Sequence, residues 1–196
     1  GGSGTGYMAI DKRLYDQIPD GDVRKKNFLA QEWKDYYYPN SKVTQTIPQY
    51  ANTKFGARYA YKGNKLEANN VQIGMIFFRL SEVVLLKAEA LCRKSAPDYG
   101  AAAQLLGELT AARGGAAVTE TGDALLKRIQ LESRIELWGE NGSEYYNNKR
   151  WGLGVDRSGD VSVTNHTDHS VVPAGTAFTW QIPEREIMFN PMEQNP

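Results

Sequence analysis

Hydrophobic positions along this chain fall into two regimes, a strongly periodic middle and irregular flanks. Between Ile76 and Lys94, apolar residues recur at 77, 80, 84, 88 and 91, the spacing of one helical face. Val83, Leu85, Leu86 and Ala90 widen that stripe over most of the circumference, and Arg79, Glu82 and Glu89 occupy what remains. Such a helix requires packing on several sides. Ser95 with Asp98 three residues on reads as a capping box, and Pro97 suits a first helical turn. The helix that follows buries Ala101, Leu105, Leu109 and Ala112 and stops at Gly114-Gly115. Ala88, Ala90, Ala101, Ala102 and Ala103 allow the two helices to approach closely. They form an αα-hairpin, the unit of TPR-like solenoids. A third helix is predicted from Thr121 or Asp123 to about Trp138. Gly139 and Gly142 break it, and SEYYNNKRW restarts a short helix ending at Gly152 or Gly154.

The helical core thus spans about 76–152, between loop-rich flanks at 1–75 and 153–196. The first flank holds a short helix over Ala9–Gln17, a turn at Pro19-Asp20-Gly21-Asp22 and irregular Tyr-rich sequence. The second holds a short strand at Val161-Ser162-Val163 and a turn at Pro173-Ala174-Gly175. Irregular stretches of this length are functional or lie against something else, such as further helices of a longer superhelix. Gly1-Gly2-Ser3-Gly4-Thr5-Gly6 reads as a flexible linker, a cloning scar or a glycine-rich loop. The expectation is a fragment of a larger protein.

Composition narrows the function. Lys and Arg number 23, as do Asp and Glu, so the net charge is zero and no basic surface for nucleic acid is indicated. Eleven Tyr, 6 Phe and 4 Trp at low net charge exclude intrinsic disorder. The single cysteine, Cys92, excludes a disulfide framework and sits as a small hydrophobe in an apolar helix. No apolar run approaches the ~18–20 residues of a membrane span, and no signal segment opens the chain.

Candidate chemistry is sparse. Glu132 and Glu136 lie four apart on one helix face, as an acid/base pair or metal site requires. Arg128 and Arg134 lie in the same turns, which favours an ion-pair network. His166 and His169, with Asp168 between them, fall in loop-like sequence without a third ligand, so no metal is expected. Asp20-Gly21-Asp22 resembles part of a calcium loop but reads better as a turn. Nucleophile elbows and phosphate-binding glycine patterns are lacking, so no cofactor is expected. Asn141-Gly-Ser143 and Asn165-His-Thr167 match the glycosylation sequon at a level close to chance.

Aromatic residues are the richer signal. Trp33, Tyr36, Tyr37, Tyr38, Tyr50, Tyr59 and Tyr61 crowd into residues 33–61. Tyr and Trp present a flat apolar face with a polar tip, which suits sugars, peptides and protein partners. Trp33, Tyr36, Tyr37, Tyr38 and Tyr50 are the ligand-binding candidates. The competing reading is that these rings anchor long loops to the helices.

Four motifs, in order, resemble the SusD/RagB family of surface nutrient-binding lipoproteins from Bacteroidetes-type bacteria. They are LYDQIPDGDVRKKNF (Leu14–Phe28), FFRLSEVVLLKAEAL (Phe77–Leu91), IQLESRIELWGENGSEYYNNKRWG (Ile129–Gly152) and IPEREIMFNPMEQNP (Ile182–Pro196). Asn148, where an acidic residue is common, favours the RagB-like branch slightly, and Ser133 stands where an arginine is usual. The resemblance implies that residues 1–196 are the C-terminal portion of such a domain. It implies a mainly α fold, a TPR-like alpha-alpha superhelix with long irregular loops and a few short strands. Glu82, Glu89, Glu132, Arg134 and Glu136 match motif positions that lock helices together, and Arg150-Trp151-Gly152 pins a loop.

The expected role that follows from the resemblance is non-enzymatic. The protein would capture oligosaccharide at the cell surface for a TonB-dependent, SusC-like transporter. It would sit at the outer membrane as a lipoprotein whose anchor is absent from this chain. A RagB-like alternative binds peptides. A remote alternative is a glycoside hydrolase using Glu132 and Glu136.

Overall fold

In the computed structural model, the described residues are 9–38, 43–54, 59–62, 65–68, 77–159, 171–175 and 178–195. Three helices build the core. α2 (Leu80–Arg93) and α3 (Tyr99–Arg113) form the expected antiparallel hairpin, and α4 (Gly122–Glu136) packs across both. α5 (Ser143–Trp151) follows after Gly139 and Gly142, whose φ values of 71° and 68° end α4 and re-aim the chain. A short α1 (Lys12–Tyr15), a 3-10 turn (Val23–Asn27) and α6 (Glu184–Phe189) complete the helical elements among the described residues. The fold is mainly α.

α1 is shorter than the expected Ala9–Gln17 and α4 ends at Glu136 rather than about Trp138, and the starts of α2 and α3 differ from expectation for local reasons. α2 starts at Leu80, not Ile76, because Arg79 is the extended N-cap (φ −141°, ψ 165°) and its side chain reaches away to Glu136 of α4. α3 starts at Tyr99 because Asp98, rather than Ser95, caps it, accepting the Ala101 N–H at 3.0 Å. Its C-terminus is as read: Gly114 adopts φ 69°.

The Tyr-rich flank is not irregular throughout. β1 (Trp33–Tyr38) pairs antiparallel with β2 (Val43–Ile47), Tyr38 opposite Val43, with an irregularity between Trp33 and Tyr36. β3 (Tyr59–Lys62) pairs with β4 (Lys65–Ala68), Lys62 opposite Lys65. Aromatic and β-branched runs around Pro39-Asn40 and Gly63-Asn64 are hairpin signals that a search for helical period passes over. β5 (Val155–Asp156) pairs with β6 (Val171–Val172). The strand expected at 161–163, together with His166, Asp168 and His169, lies outside the described residues.

Two apolar cores meet across α4. The first joins Leu85, Ala88 and Cys92 of α2 to Ala102, Leu106 and Leu109 of α3 and to Leu125 and Ile129 of α4, with Leu137 at its edge. The second gathers Ile10, Ile18, Phe28 and Tyr50 around Ile135 at the end of α4, with Trp138 edge-on to Phe28. Residues 48–54 thread this second core, with the Ile10 N–H donating to the Tyr50 carbonyl and the Tyr50 N–H to the Leu29 carbonyl.

Leu106 is fully buried in the first core, so Leu106→Ala should cost about 2–5 kcal/mol in chemical denaturation. At Gly114 an added Cβ would lie 2.6 Å from the Gly21 carbonyl oxygen. Gly114→Ala should therefore lose at least the roughly 1–2 kcal/mol of a side chain forced into the left-handed region.

Candidate functional site

The face of α4 between the two cores carries Glu132 and Glu136, both only 3% exposed. Helix geometry aligns them, but their partners arrive from elsewhere in the chain. Glu136 accepts from Arg79 Nη1 at 2.5 Å, Arg113 Nη2 at 2.8 Å and Arg24 Nη1 at 3.3 Å. The backbone carbonyl of Glu136 accepts from Arg79 Nη2 and, at 2.8 Å, from Lys54 Nζ. Arg24, in the 3-10 turn, is itself buried against Asp22 at 2.5 Å and reaches Glu132 at 2.7 Å, a charge contact rather than an aligned hydrogen bond. Arg128 closes the far end on Glu132 at 2.9 Å and Glu120 at 3.0 Å. Glu140 joins Arg79 and Lys54.

Burial alone would raise the Glu136 carboxyl pKa, but hydrogen bonds from Arg113 and Arg79 outweigh it and hold the group at about 2. Glu140 is likewise pushed up by burial and drawn below its usual value by Arg79 and Lys54. For Lys54 burial wins, and its pKa falls despite Glu140. The arginines that hold it ionised also take up its oxygens, which commits Glu136 to the ion cluster. Asp22 is committed as well, accepting the Arg24 N–H and guanidinium, while Asp20 pairs with Lys25.

Of the other motif charges, Glu89 and Arg134 serve as further fasteners, and Glu82, expected to do so, does not. Glu89 ties α2 to α5 through Arg150 and the Trp151 indole N–H at 3.1 Å, and holds Arg93 at 2.8 Å. Arg134 does not meet Glu136, because residues two apart point to opposite sides of a helix. Instead it binds Glu144 at 3.0 Å and the buried Asn148 at 2.8 Å, its guanidinium over Trp151. Ser133 donates to the Ile129 carbonyl within α4. Glu82 lies in the first turn of α2, where a carboxylate favours the helix N-terminus, and forms no ion pair among the described residues.

The outer face of α4 borders a groove of about 650 Å³. The N-terminal segment supplies Asp11, Arg13 and Gln17, α4 supplies Lys127, Gln130 and Arg134, and α5 and β5 supply Glu144, Asn148 and Asp156. Arg13 bridges Asp11 at 2.6 Å and Asp156 at 3.0 Å, fixing one wall. The groove holds both donors and acceptors, and Arg13, Lys127, Arg128 and Arg134 balance Asp11, Glu120, Glu144 and Asp156. Such a lining suits a neutral, hydroxyl-rich ligand better than a strongly charged one.

The aromatic candidates divide. Trp33, Tyr36, Tyr37 and Tyr38 share β1, with Trp33 opposite Ile47 and Tyr37 opposite Thr44. Tyr50 is instead in the second core, 8% exposed, its ring 4.8 Å from that of Tyr15. The expectation that Tyr50 offers a face to ligand gives way to an anchoring role, because the core consumes that face. Sequence reasoning passed over the hub residues Arg24, Arg79, Arg113 and Glu140. Arg24, Arg79 and Glu140 lie inside the quoted motifs, whereas Arg113 carries no local signal at all.

Fold and site together define a mainly α scaffold of packed helices with a buried charge hub and a polar groove. The SusD family model matches residues 7–196, and the chain belongs to that family. Among solved structures it is similar to a SusD-like carbohydrate binding protein from Bacteroides vulgatus ATCC 8482. The identity is 24%, the TM-score is 0.63, and the match covers 94% of this chain and 40% of that one. It is also similar to a SusD superfamily protein from the same organism, at 28% identity and TM-score 0.60 over 96% of this chain and 39% of that one. The chain therefore spans about two-fifths of the length of these structures. No protein of curated function matches the sequence.

Glu136→Gln should destabilise the protein by about 3–5 kcal/mol, the cost of leaving the buried Arg24 and the half-buried Arg79 and Arg113 without that carboxylate. The stabilisation carried by Glu136 is complete above its ordinary value of 4.5 and is lost as pH falls toward about 2. Denaturation midpoints measured between those pH values should fall less steeply in Glu136→Gln than in the parent.

Proposed function

We propose that this protein takes part in capturing a nutrient glycan at the cell surface. Membership of the SusD family over residues 7–196 carries the reading. One solved relative is described as carbohydrate binding, and the charge-balanced groove along α4 has the hydrogen-bonding character that sugar hydroxyls need. The run Trp33, Tyr36, Tyr37 and Tyr38 on β1 is of the residue types that stack on sugar rings. The cargo passes to a TonB-dependent, SusC-like transporter in the outer membrane, to which the protein is held by a lipid anchor. No helix among the described residues is long and apolar enough to cross a membrane. The role is binding without turnover: Glu132 and Glu136, the carboxylates spaced for catalysis, are committed to arginines.

The same reading gives residues 1–196 the place of the C-terminal portion of the domain. Asn148, which had favoured a peptide-binding branch, is buried and hydrogen-bonded to Arg134 and Glu144 at the edge of the groove.

Calorimetry of the full-length protein against a glycan panel should find a binder. Trp33→Ala and Lys127→Ala should each weaken that binding about tenfold, roughly 1.4 kcal/mol, with the thermal midpoint unchanged. Unaltered affinity in both variants would remove the β1 aromatics and the groove from the site. Peptides recovered by mass spectrometry from the native transporter complex, with no glycan bound, would overturn the glycan reading.

A further inference from the structure

The turn between α4 and α5 carries the only Asn–Gly step in the sequence, Asn141-Gly142, and neither residue lines the polar groove. Both are exposed, and both stand in the left-handed region, Asn141 at φ 43° and Gly142 at φ 68°. Asparagine tolerates that backbone without favouring it, so the turn is held by its surroundings. One such hold is the Asn141 side-chain amide, which donates to the Phe77 backbone carbonyl in the segment leading into α2. The Gly142 N–H, by contrast, donates to no backbone carbonyl among the described residues, although the neighbouring Ser143 N–H donates to Glu140. No side chain on Gly142 shields that nitrogen, and an added Cβ would meet only the Tyr146 ring, at 3.4 Å. A nucleophilic nitrogen thus lies one residue from the electrophilic carbon of an exposed carboxamide.

We propose that Asn141 is a site of spontaneous deamidation, with solvent water as the co-reactant. The Gly142 nitrogen attacks Cγ of Asn141 and closes a succinimide ring. The new C–N bond replaces the one to the side-chain nitrogen, which leaves as ammonia with the proton given up by Gly142. Water then opens the ring at either carbonyl, giving aspartate or, with the backbone rerouted through the side chain, isoaspartate. Ring closure requires the carboxamide to leave Phe77 and the turn to swing, a rotation that glycine permits at small cost. Either product exchanges an amide donor for a carboxylate, which has no hydrogen to give the Phe77 carbonyl. The tie between the α4–α5 turn and the entry to α2 is then cut irreversibly, because the ammonia is lost. The neighbouring pair of Arg79 with Glu140 stays. Asn148 supplies the contrast: it is 1% exposed, hydrogen-bonded to Arg134 and Glu144, and followed by a lysine. Cargo plays no part in this chemistry.

The test uses the full-length polypeptide, kept folded in mildly alkaline buffer, where the attacking nitrogen loses its proton more readily. Tryptic cleavage after Arg134 and Lys149 releases Asn141, Asn147 and Asn148 in one peptide. Tandem mass spectrometry should place the amide-to-acid conversion at Asn141, at least about tenfold faster than at Asn148, whose conversion requires local opening. Enzymatic methylation of isoaspartate should label the same position. No conversion at Asn141, or equal conversion at all three asparagines, would overturn the proposal. The structural consequence is read in Asn141→Asp by hydrogen exchange. Amides of residues 77–82 should exchange about tenfold faster than in the parent, with the rest of α2 unchanged. Unchanged exchange there, or a rise shared by the whole protein, would contradict a local tie cut by the modification.

Discussion

A single buried carboxylate organises this structure. Glu136 sits at the end of α4 where two apolar cores meet, and guanidiniums from three separate parts of the chain converge on it: Arg24, Arg79 and Arg113. Each carries a different element. Arg24 brings the 3-10 turn, Arg79 fixes where α2 begins, and Arg113 ties down the end of α3. Taking these charges out of water is expensive, and a well-packed apolar cluster could match them in stability. What the ion cluster adds is direction. Guanidinium forks and carboxylates meet in a few orientations only, so the hub sets how the N-terminal segment and the helical hairpin lie on α4.

That constraint explains which parts of the structure were legible in the sequence. The helices of the middle announced themselves by period, and their glycine stops by the conformations that glycine alone adopts cheaply. The fastening role of Glu89, Glu132, Glu136 and Arg150 followed from their positions in recognisable motifs. Partner identities did not follow, because ion pairs such as Arg113 with Glu136 are made by tertiary approach rather than by local spacing. Arg134 shows the same limit. Proximity in sequence suggested Glu136, while helix phase directed it to Glu144 and Asn148. The β1–β2 hairpin was missed because attention to the tyrosines as ligand contacts obscured their preference for strands. Tyr50 is the clearest instance, with a ring suited to a binding surface and used in a core.

α4 separates two tasks by its faces. Its inner residues, Leu125, Ile129, Glu132, Ile135 and Glu136, hold the cores and the hub. Its outer residues, Lys127, Gln130 and Arg134, border the polar groove. The two faces are not independent: Arg128 of the groove pairs with Glu132, and Leu14 and Leu131 line the groove while packing against the second core. Charge balance in the groove, with Arg13 braced between Asp11 and Asp156, keeps its wall defined without creating a strong field of either sign.

α2 has a corresponding division: Leu85, Ala88 and Cys92 enter the first core, while Leu80, Val83 and Leu86 are exposed. A helix with leucine and valine on both faces is costly to leave half in water: each large aliphatic side chain returned to burial recovers about 1.5–3 kcal/mol. The same helix carries Glu89, which fastens α5 through Arg150 and Trp151. Anything seated on the outer face of α2 would therefore bear on a helix already tied to α3, α4 and α5 from behind.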